Sequence, residues 1–160
     1  MVKVLIVYYS RTNHIKKMAQ FVEEGAKEEK IDVICKTVDT LEPNELLESD
    51  GIIIGSPTYF GSMSYPVKKM IDDSIIHYGK LDGKVGGAFT SCQRVGGGGE
   101  TTLQSIINAY LVHGMIIQGG SKSSHYGPLA IGSPDDIVCE ECRMLGKKIA
   151  QLAKKIHSNC

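Results

Sequence analysis

Three hydroxyl-, aromatic- and glycine-bearing stretches hold the chemical interest of this 160-residue chain. The first, Ser10-Arg11-Thr12-Asn13-His14-Ile15, follows the apolar run VKVLIVYYS. From His14 to about Glu29, Ile15, Met18, Ala19, Val22 and Ala26 fall roughly on one helical side. A buried strand feeding a helix through a short polar loop gathers hydroxyls and unpaired amide N–H groups at the helix N-terminus. That is a site for a phosphate. The same residue types also suit plain helix capping, where a side-chain oxygen accepts an N–H of the first turn. The chain has no G-x-G-x-x-G and no G-x-x-x-x-G-K-[ST], so neither a dinucleotide fingerprint nor a P-loop is supported. A hydroxyl-rich loop suits a terminal phosphate monoester.

The second stretch, Ser56-Pro57-Thr58-Tyr59-Phe60-Gly61-Ser62, offers a rigid turn, a hydroxyl and two aromatic rings that suit the flank of a flat heterocycle. The third runs from Ser91 and Cys92 through Gln93, Arg94 and Val95 to four consecutive glycines, Gly96 to Gly99. Without side chains these let backbone approach a bulky ligand and present N–H groups to it. A further loop, Gly119 to Gly132, is rich in Gly and Ser and bears His125 and Tyr126.

The elements that must position these loops alternate along the chain. Strand patterns occupy the N-terminal apolar run, Ile31–Val38, Gly51–Gly55, Val85–Thr90 and Met115–Gln118. Helical patterns occupy His14 to about Glu29, Pro66–Ile76, Glu100–Val112 and a last stretch reaching about His157, with a turn of helix at Glu42–Leu47. Ser133, Pro134 and Asp136 predict the start of the last helix, with a hydroxyl cap, proline first and an acid in the first turn. Lys147, Lys148, Lys154 and Lys155 then fall on its later turns, where cations suit the dipole. The alternation predicts one domain over residues 1–160: a three-layer α/β/α fold on a five-stranded parallel sheet of order 2-1-3-4-5. In such a sheet the carboxyl ends of the strands share one edge and ligands bind there. A phosphate at one end, a polar tether and a planar ring against aromatics and glycine backbone describe flavin mononucleotide (FMN).

Composition narrows the partners. Charged residues make up 22% of the chain and formal net charge is zero, so nothing electrostatic favours nucleic acid or an anionic membrane. No apolar run reaches transmembrane length, and a cytoplasmic protein is expected. Five cysteines, an odd number in a chain of this size, predict free thiols. Cys139 and Cys142 form a C-x-x-C on the last helix, open to a structural, a redox or a half-metal-site reading. No complete metal cluster is evident, and no metal is expected.

VLIVYYSRTNHIKKMA, GSPTYFGSMS, SCQRVGGGGETTL and LVHGM followed by HYG resemble the flavodoxin-like fold, and within it the WrbA-type NAD(P)H:quinone oxidoreductases and NADPH-dependent FMN reductases. The resemblance runs over nearly the whole chain. It implies non-covalent FMN, with NADH or NADPH as donor, a quinone as acceptor, and a homodimer or homotetramer. Position by position, it implies that Ser10, Arg11, Thr12, Asn13, His14 and Ile15 surround the phosphate. Pro57, Thr58, Tyr59, Phe60 and Gly61 line the ribityl chain and one side of the ring. Ser91, Cys92, Gln93, Arg94, Val95, Gly96 and Gly97 meet the pyrimidine edge and the other side. It also implies that His113 reaches a flavin, that of a neighbouring subunit.

The chain departs from the family in a longer 90s loop, in the absence of tryptophan, and in shorter segments before Lys84 and after Gly120. These bear on the nicotinamide and quinone sites more than on FMN. Arg94 is a candidate to stabilise charge on a reduced ring or to meet a pyridine nucleotide phosphate, or is a solvated rim residue; His125 and Tyr126 are candidates to cover the ring or to donate to a quinone oxygen. His14 and His113 keep capping or dipole roles as alternatives. An FMN electron carrier between protein partners is the alternative function. A binding module that has lost its cofactor is the third.

Overall fold

The apolar N-terminal run forms an interior strand of a sheet because its side chains alternate between two buried faces. In this computed structural model, which describes residues 1–157, Val4 and Ile6 enter one core while Leu5 and Val7 enter the other. In chain order the elements are β1 (Lys3–Tyr8), α1 (His14–Lys27), β2 (Asp32–Thr37), α2 (Asn44–Glu48), β3 (Gly51–Tyr59), β4 (Ser62–Met63) and α3 (Tyr65–Asp73). They continue with β5 (Val85–Cys92), α4 (Gly99–Val112), β6 (Ile116–Ile117), β7 (Leu129–Ile131) and α5 (Asp136–His157). The parallel sheet runs β2-β1-β3-β5-β6, with β7 also on the outer side of β5 and β4 antiparallel to the tip of β3. This is the predicted three-layer architecture and strand order.

Helices α1 and α5 cover one face, where Met18, Val22, Leu145 and Ile149 pack on Ile6, Ile53 and Phe89. Val67, Leu103, Ile106 and Tyr110 cover the other over Leu5, Val7, Ile52 and Ile54. Each aliphatic side chain buried fully in these layers stabilises the fold by roughly 1.5–3 kcal/mol. The α1–α5 contact is close because of two glycines. A Cβ on Gly25 would run into the Arg143 carbonyl, and one on Gly146 into the Val22 carbonyl. The late lysines of α5 reach sideways: Lys147 Nζ lies 3.0 Å from Glu28 and Lys154 Nζ 3.4 Å from Glu29, both on or just past α1.

Several boundaries differ from the pattern. Strand β3 does not stop at Gly55, because its ladder with β5 continues to Pro57 opposite Ser91. The Gly55 carbonyl accepts Tyr9 N–H on the β1 side at 3.1 Å. Pro57 faces that same side just past the end of β1, where its missing N–H leaves no ladder bond unmade. The helix expected over Pro66–Ile76 ends at Asp73 and tightens into a 3₁₀ turn, Ser74–His77. The fifth strand is broken. Ile116–Ile117 pairs with Val85–Gly86, residues 118–128 bulge away, and Leu129–Ile131 resumes beside Thr90–Cys92. The last helix is capped by Asp135, whose carboxylate accepts Val138 N–H at 2.9 Å, and not by Ser133; Pro134 lies before the helix.

No helix among the described residues is long and apolar enough to cross a membrane. Cys35, Cys92, Cys139 and Cys142 are free thiols, and Cys160 lies outside the described residues.

Candidate functional site

The turn after β1 leaves donors without acceptors. Asn13 takes a left-handed conformation (φ 65°) and its side chain caps nothing. Lys17 N–H is the first in α1 to find a helical acceptor, the Asn13 carbonyl at 2.9 Å. Lys16 N–H donates to Ser10 Oγ at 3.2 Å, so the capping oxygen comes from Ser10, six residues upstream. The N–H groups of Arg11 through Ile15 reach no acceptor among the described residues. A row of unpaired N–H groups at the positive end of a helix dipole is built for an anion. The Ser10 hydroxyl hydrogen is still free to donate toward it.

Beside this turn, the tips of β3 and β5 are pinned by buried hydroxyls. Thr90 Oγ1 donates to the Ser56 carbonyl at 2.6 Å. Its single hydrogen being spent, it accepts from Thr58 Oγ1 at 3.1 Å. Ser91 Oγ donates to the Gly132 carbonyl at 2.7 Å, and the Cys92 thiol to the Arg94 carbonyl at 3.3 Å. The turn beyond β3 runs through left-handed Phe60 (φ 50°) and Gly61 (φ 74°). It abuts the glycine run so tightly that a Cβ on Gly98 would sit 2.7 Å from Gly61 Cα. Gly98, itself at φ 89°, is therefore required for both its conformation and its contact.

These segments enclose a cavity of about 390 Å³ between the ends of β1, β3 and β5. Its lining joins Ser10, Arg11, Thr12, His14 and Ile15 to Pro57, Thr58 and Tyr59, and to Ser91, Cys92 and Gln93. Loops that are far apart in sequence thus meet as the strand order predicts, and the volume is that of a small-molecule site. Asn13 lies in the turn without lining the cavity, and Phe60 stands fully exposed at its edge. Arg94, Val95, Gly96 and Gly97 form an exposed turn closed by Gly97 N–H donating to the Arg94 carbonyl at 3.0 Å, and Gly61 too lies outside the lining.

The histidine and tyrosine candidates lie elsewhere. His113 packs under α3, with Nε2 2.8 Å from Ser74 Oγ. Because Ser74 gives its hydrogen to the Ile71 carbonyl, His113 Nε2 is the donor and its buried Nδ1 has no partner. Burial, with His77 nearby, holds its pKa below the ordinary value. Within this subunit His113 therefore does not reach the cavity. His125 Nδ1 lies 2.7 Å from the Gly120 carbonyl, and Tyr126 is exposed on the bulged segment. Gly132 lines the cavity and was not foreseen; the sequence signal was the short apolar triplet Leu129–Ile131 between Gly127 and Gly132.

The C-x-x-C thiols are buried in the helix–sheet core, and burial pushes both pKa values up. Cys35, beside Glu23, is pushed up to about 12 by burial. All three stay protonated thiols, the reverse of a reactive site. No group of three or more His, Cys, Asp or Glu among the described residues could hold a metal.

The family model for NADPH-dependent FMN reductase matches residues 37–127, more than half of the chain. A flavodoxin of Aquifex aeolicus is 38% identical over 158 residues, covering 93% of this chain and 85% of its own. The chain belongs to the flavodoxin-like family of FMN-binding proteins. An NAD(P)H dehydrogenase (quinone) of Archaeoglobus fulgidus is 33% identical, covering 98% of this chain and all of its own. Among solved structures, a flavodoxin, WrbA-like protein from Agrobacterium tumefaciens aligns with a TM-score of 0.85 at 27% identity. That alignment covers 98% of this chain and 99% of the other. The family thus carries both the flavodoxins and the quinone oxidoreductases, and the unpaired amides, the hydroxyls and the cavity volume suit the FMN it binds.

Proposed function

We propose that this flavodoxin-like protein transfers two electrons from NADH or NADPH to a quinone or a similarly flat acceptor. The observation that carries this reading is the charge at the cavity mouth. No lining residue is acidic, and Arg11 lines it without an ion-pair partner among the described residues. A rim without carboxylates suits the pyrophosphate of a pyridine nucleotide, whereas a carrier that docks basic protein partners is steered by acidic surface. The quinone-oxidoreductase relative, aligned over its full length, supports the same reading.

The residues take these roles. The amides of Arg11 to Ile15, with the Ser10 and Thr12 hydroxyls, hold the FMN phosphate. Thr58, oriented by Thr90, meets the polar tether, while Pro57 and Tyr59 form one wall of the ring site. Ser91, Cys92 and Gln93 line the ring's polar edge, held in place by the Ser91–Gly132 bond. Bound FMN supplies hydride and electron acceptance, while the chain binds, orients and excludes water. Exposed Phe60, standing in a conformation that costs about 1–2 kcal/mol for a non-glycine residue, gives a flat substrate an apolar surface beside the mouth.

Two close relatives named flavodoxin favour the second reading, an electron carrier. Anaerobic mixing of the FMN-loaded protein with NADH, and separately with NADPH, separates the two. Rapid loss of the visible flavin absorbance, restored by benzoquinone, is expected. A flavin untouched by both nucleotides yet reduced by dithionite would instead make the protein a carrier.

A further inference from the structure

The break in the outer strand creates a second concavity that the FMN site does not use. Between β6 and β7 the backbone leaves the sheet edge at Gln118 and returns at Pro128, with Gly127 against the Ala88 carbonyl. The segment Gly119-Gly-Ser-Lys-Ser-Ser124 arches over the middle of α5 and encloses about 210 Å³, sharing no lining residue with the FMN cavity. Gly120 N–H is used, donating to the His125 carbonyl at 3.1 Å, and this closes the arch. The N–H groups of Ser121 through Ser124 have no acceptor among the described residues, and neither do the three serine hydroxyls.

Facing this arch from α5 is Lys148. It is partly buried and forms no hydrogen bond or ion pair among the described residues, in contrast to Lys147 and Lys154 on the same helix. Burial lowers its pKa, and no carboxylate offsets that effect. A half-buried ammonium that no side chain or carbonyl pairs with among the described residues, opposite a run of unpaired amides and hydroxyls, is a receptor lacking its anion. Lys122 on the arch adds a second positive charge. Glu141 is the only acid in the lining, so the two lysines outnumber it, and no cation-binding cluster exists there. We infer that the 118–128 arch and Lys148 form a second anion site, selective for a phosphoryl group, on the sheet edge away from the FMN cavity. Tetrahedral phosphate oxygens match the mixture of backbone N–H, hydroxyl and ammonium donors. The small volume admits a phosphoryl head and leaves the rest of a phosphorylated small molecule outside.

The test is a titration of the FMN-saturated protein with inorganic phosphate at constant ionic strength, followed by amide chemical shifts. Saturation with FMN removes competition from the first phosphate site. Saturable shifts confined to residues 119–124 and the facing turn of α5 are expected, weakened at least tenfold by Lys148→Met. Ser121→Ala with Ser123→Ala, which leaves the helix untouched, is expected to weaken binding severalfold and guards against misfolding of the lysine variant. Shifts that chloride reproduces, or that persist in both variants, would overturn the site. Competition with NADPH and NADH then separates a nucleotide phosphate from free phosphate: displacement by NADPH alone points to its additional phosphate, and by neither to free phosphate or another phosphoryl compound.

Discussion

The seam between α1 and α5 and the crown of loops at the carboxyl edge are built from opposite principles, although α1 belongs to both. Along the seam the backbones touch and the facing charges are paired. Gly25 and Gly146 bring backbones into contact, Glu28 and Glu29 pair with Lys147 and Lys154, and the Cys139 and Cys142 thiols are buried and protonated. At its other end, the N-terminus, α1 leaves the amides of Arg11 through Ile15 unpaired. Donors focused at a helix N-terminus gain their strongest bonds, charge-assisted ones, only when an anion arrives. The seam is where this chain is stable, and the crown is where it is incomplete. The proposed function belongs to the incomplete end.

The largest effect that sharpens this contrast comes from charge. Thr12→Glu places a carboxylate in the anion site, and FMN affinity is expected to fall at least about a hundredfold, about 2.7 kcal/mol. Riboflavin affinity and thermal stability of the apoprotein should change little; flavin fluorescence and melting curves read these. The complementary seam variant, Gly146→Ala, forces a methyl group into the Val22 carbonyl and is expected to cost about 1–3 kcal/mol of stability. Denaturant unfolding measures that loss, while the folded fraction keeps its FMN affinity. Cys142→Ala should cost about 1 kcal/mol through a small cavity and leave nucleotide oxidation unchanged. A lost turnover there would break the contrast by giving the seam a chemical role.

The smallest effect concerns pH. His113 is held below its ordinary pKa of 6.5 by burial and by His77, so the unfolded chain takes up its proton first as pH falls. Its contribution to stability is therefore whole above that value and declines as pH drops through the window below it. His113→Asn should flatten that acid slope in thermal melts, with no change in FMN binding if the residue serves its own subunit's core.

Much of this was legible in the residues. The alternation of VLIV between two cores, the strand–helix rhythm and the placement of Ser10, Pro57 and Ser91 at one edge follow from periodicity and from the parallel sheet it implies. The broken fifth strand was not legible, because Leu129–Ile131 is too short to show a period and its partnership depends on the edge of β5. Likewise, the side-chain cap of the last helix passed from Ser133 to Asp135, since sequence gives the cap types but not which one the chain's approach angle selects. His113 is a different case: a helix-end histidine has the same local pattern whether it faces a flavin of a neighbouring subunit or, within its own subunit, meets only a serine on a neighbouring 3₁₀ turn. The lone Lys148 gave no sign at all, being one of several lysines on α5 until the arch covers it.

The central claim is that the free amides of the α1 turn hold the phosphate of FMN. Its most direct test compares the affinities of the apoprotein for FMN and for riboflavin, which differ only in that phosphate, by fluorescence titration at fixed ionic strength. Several charge-assisted hydrogen bonds, each worth roughly 1.5–3 kcal/mol, predict that FMN binds at least a hundredfold more tightly. Equal affinities for the two flavins would contradict the account.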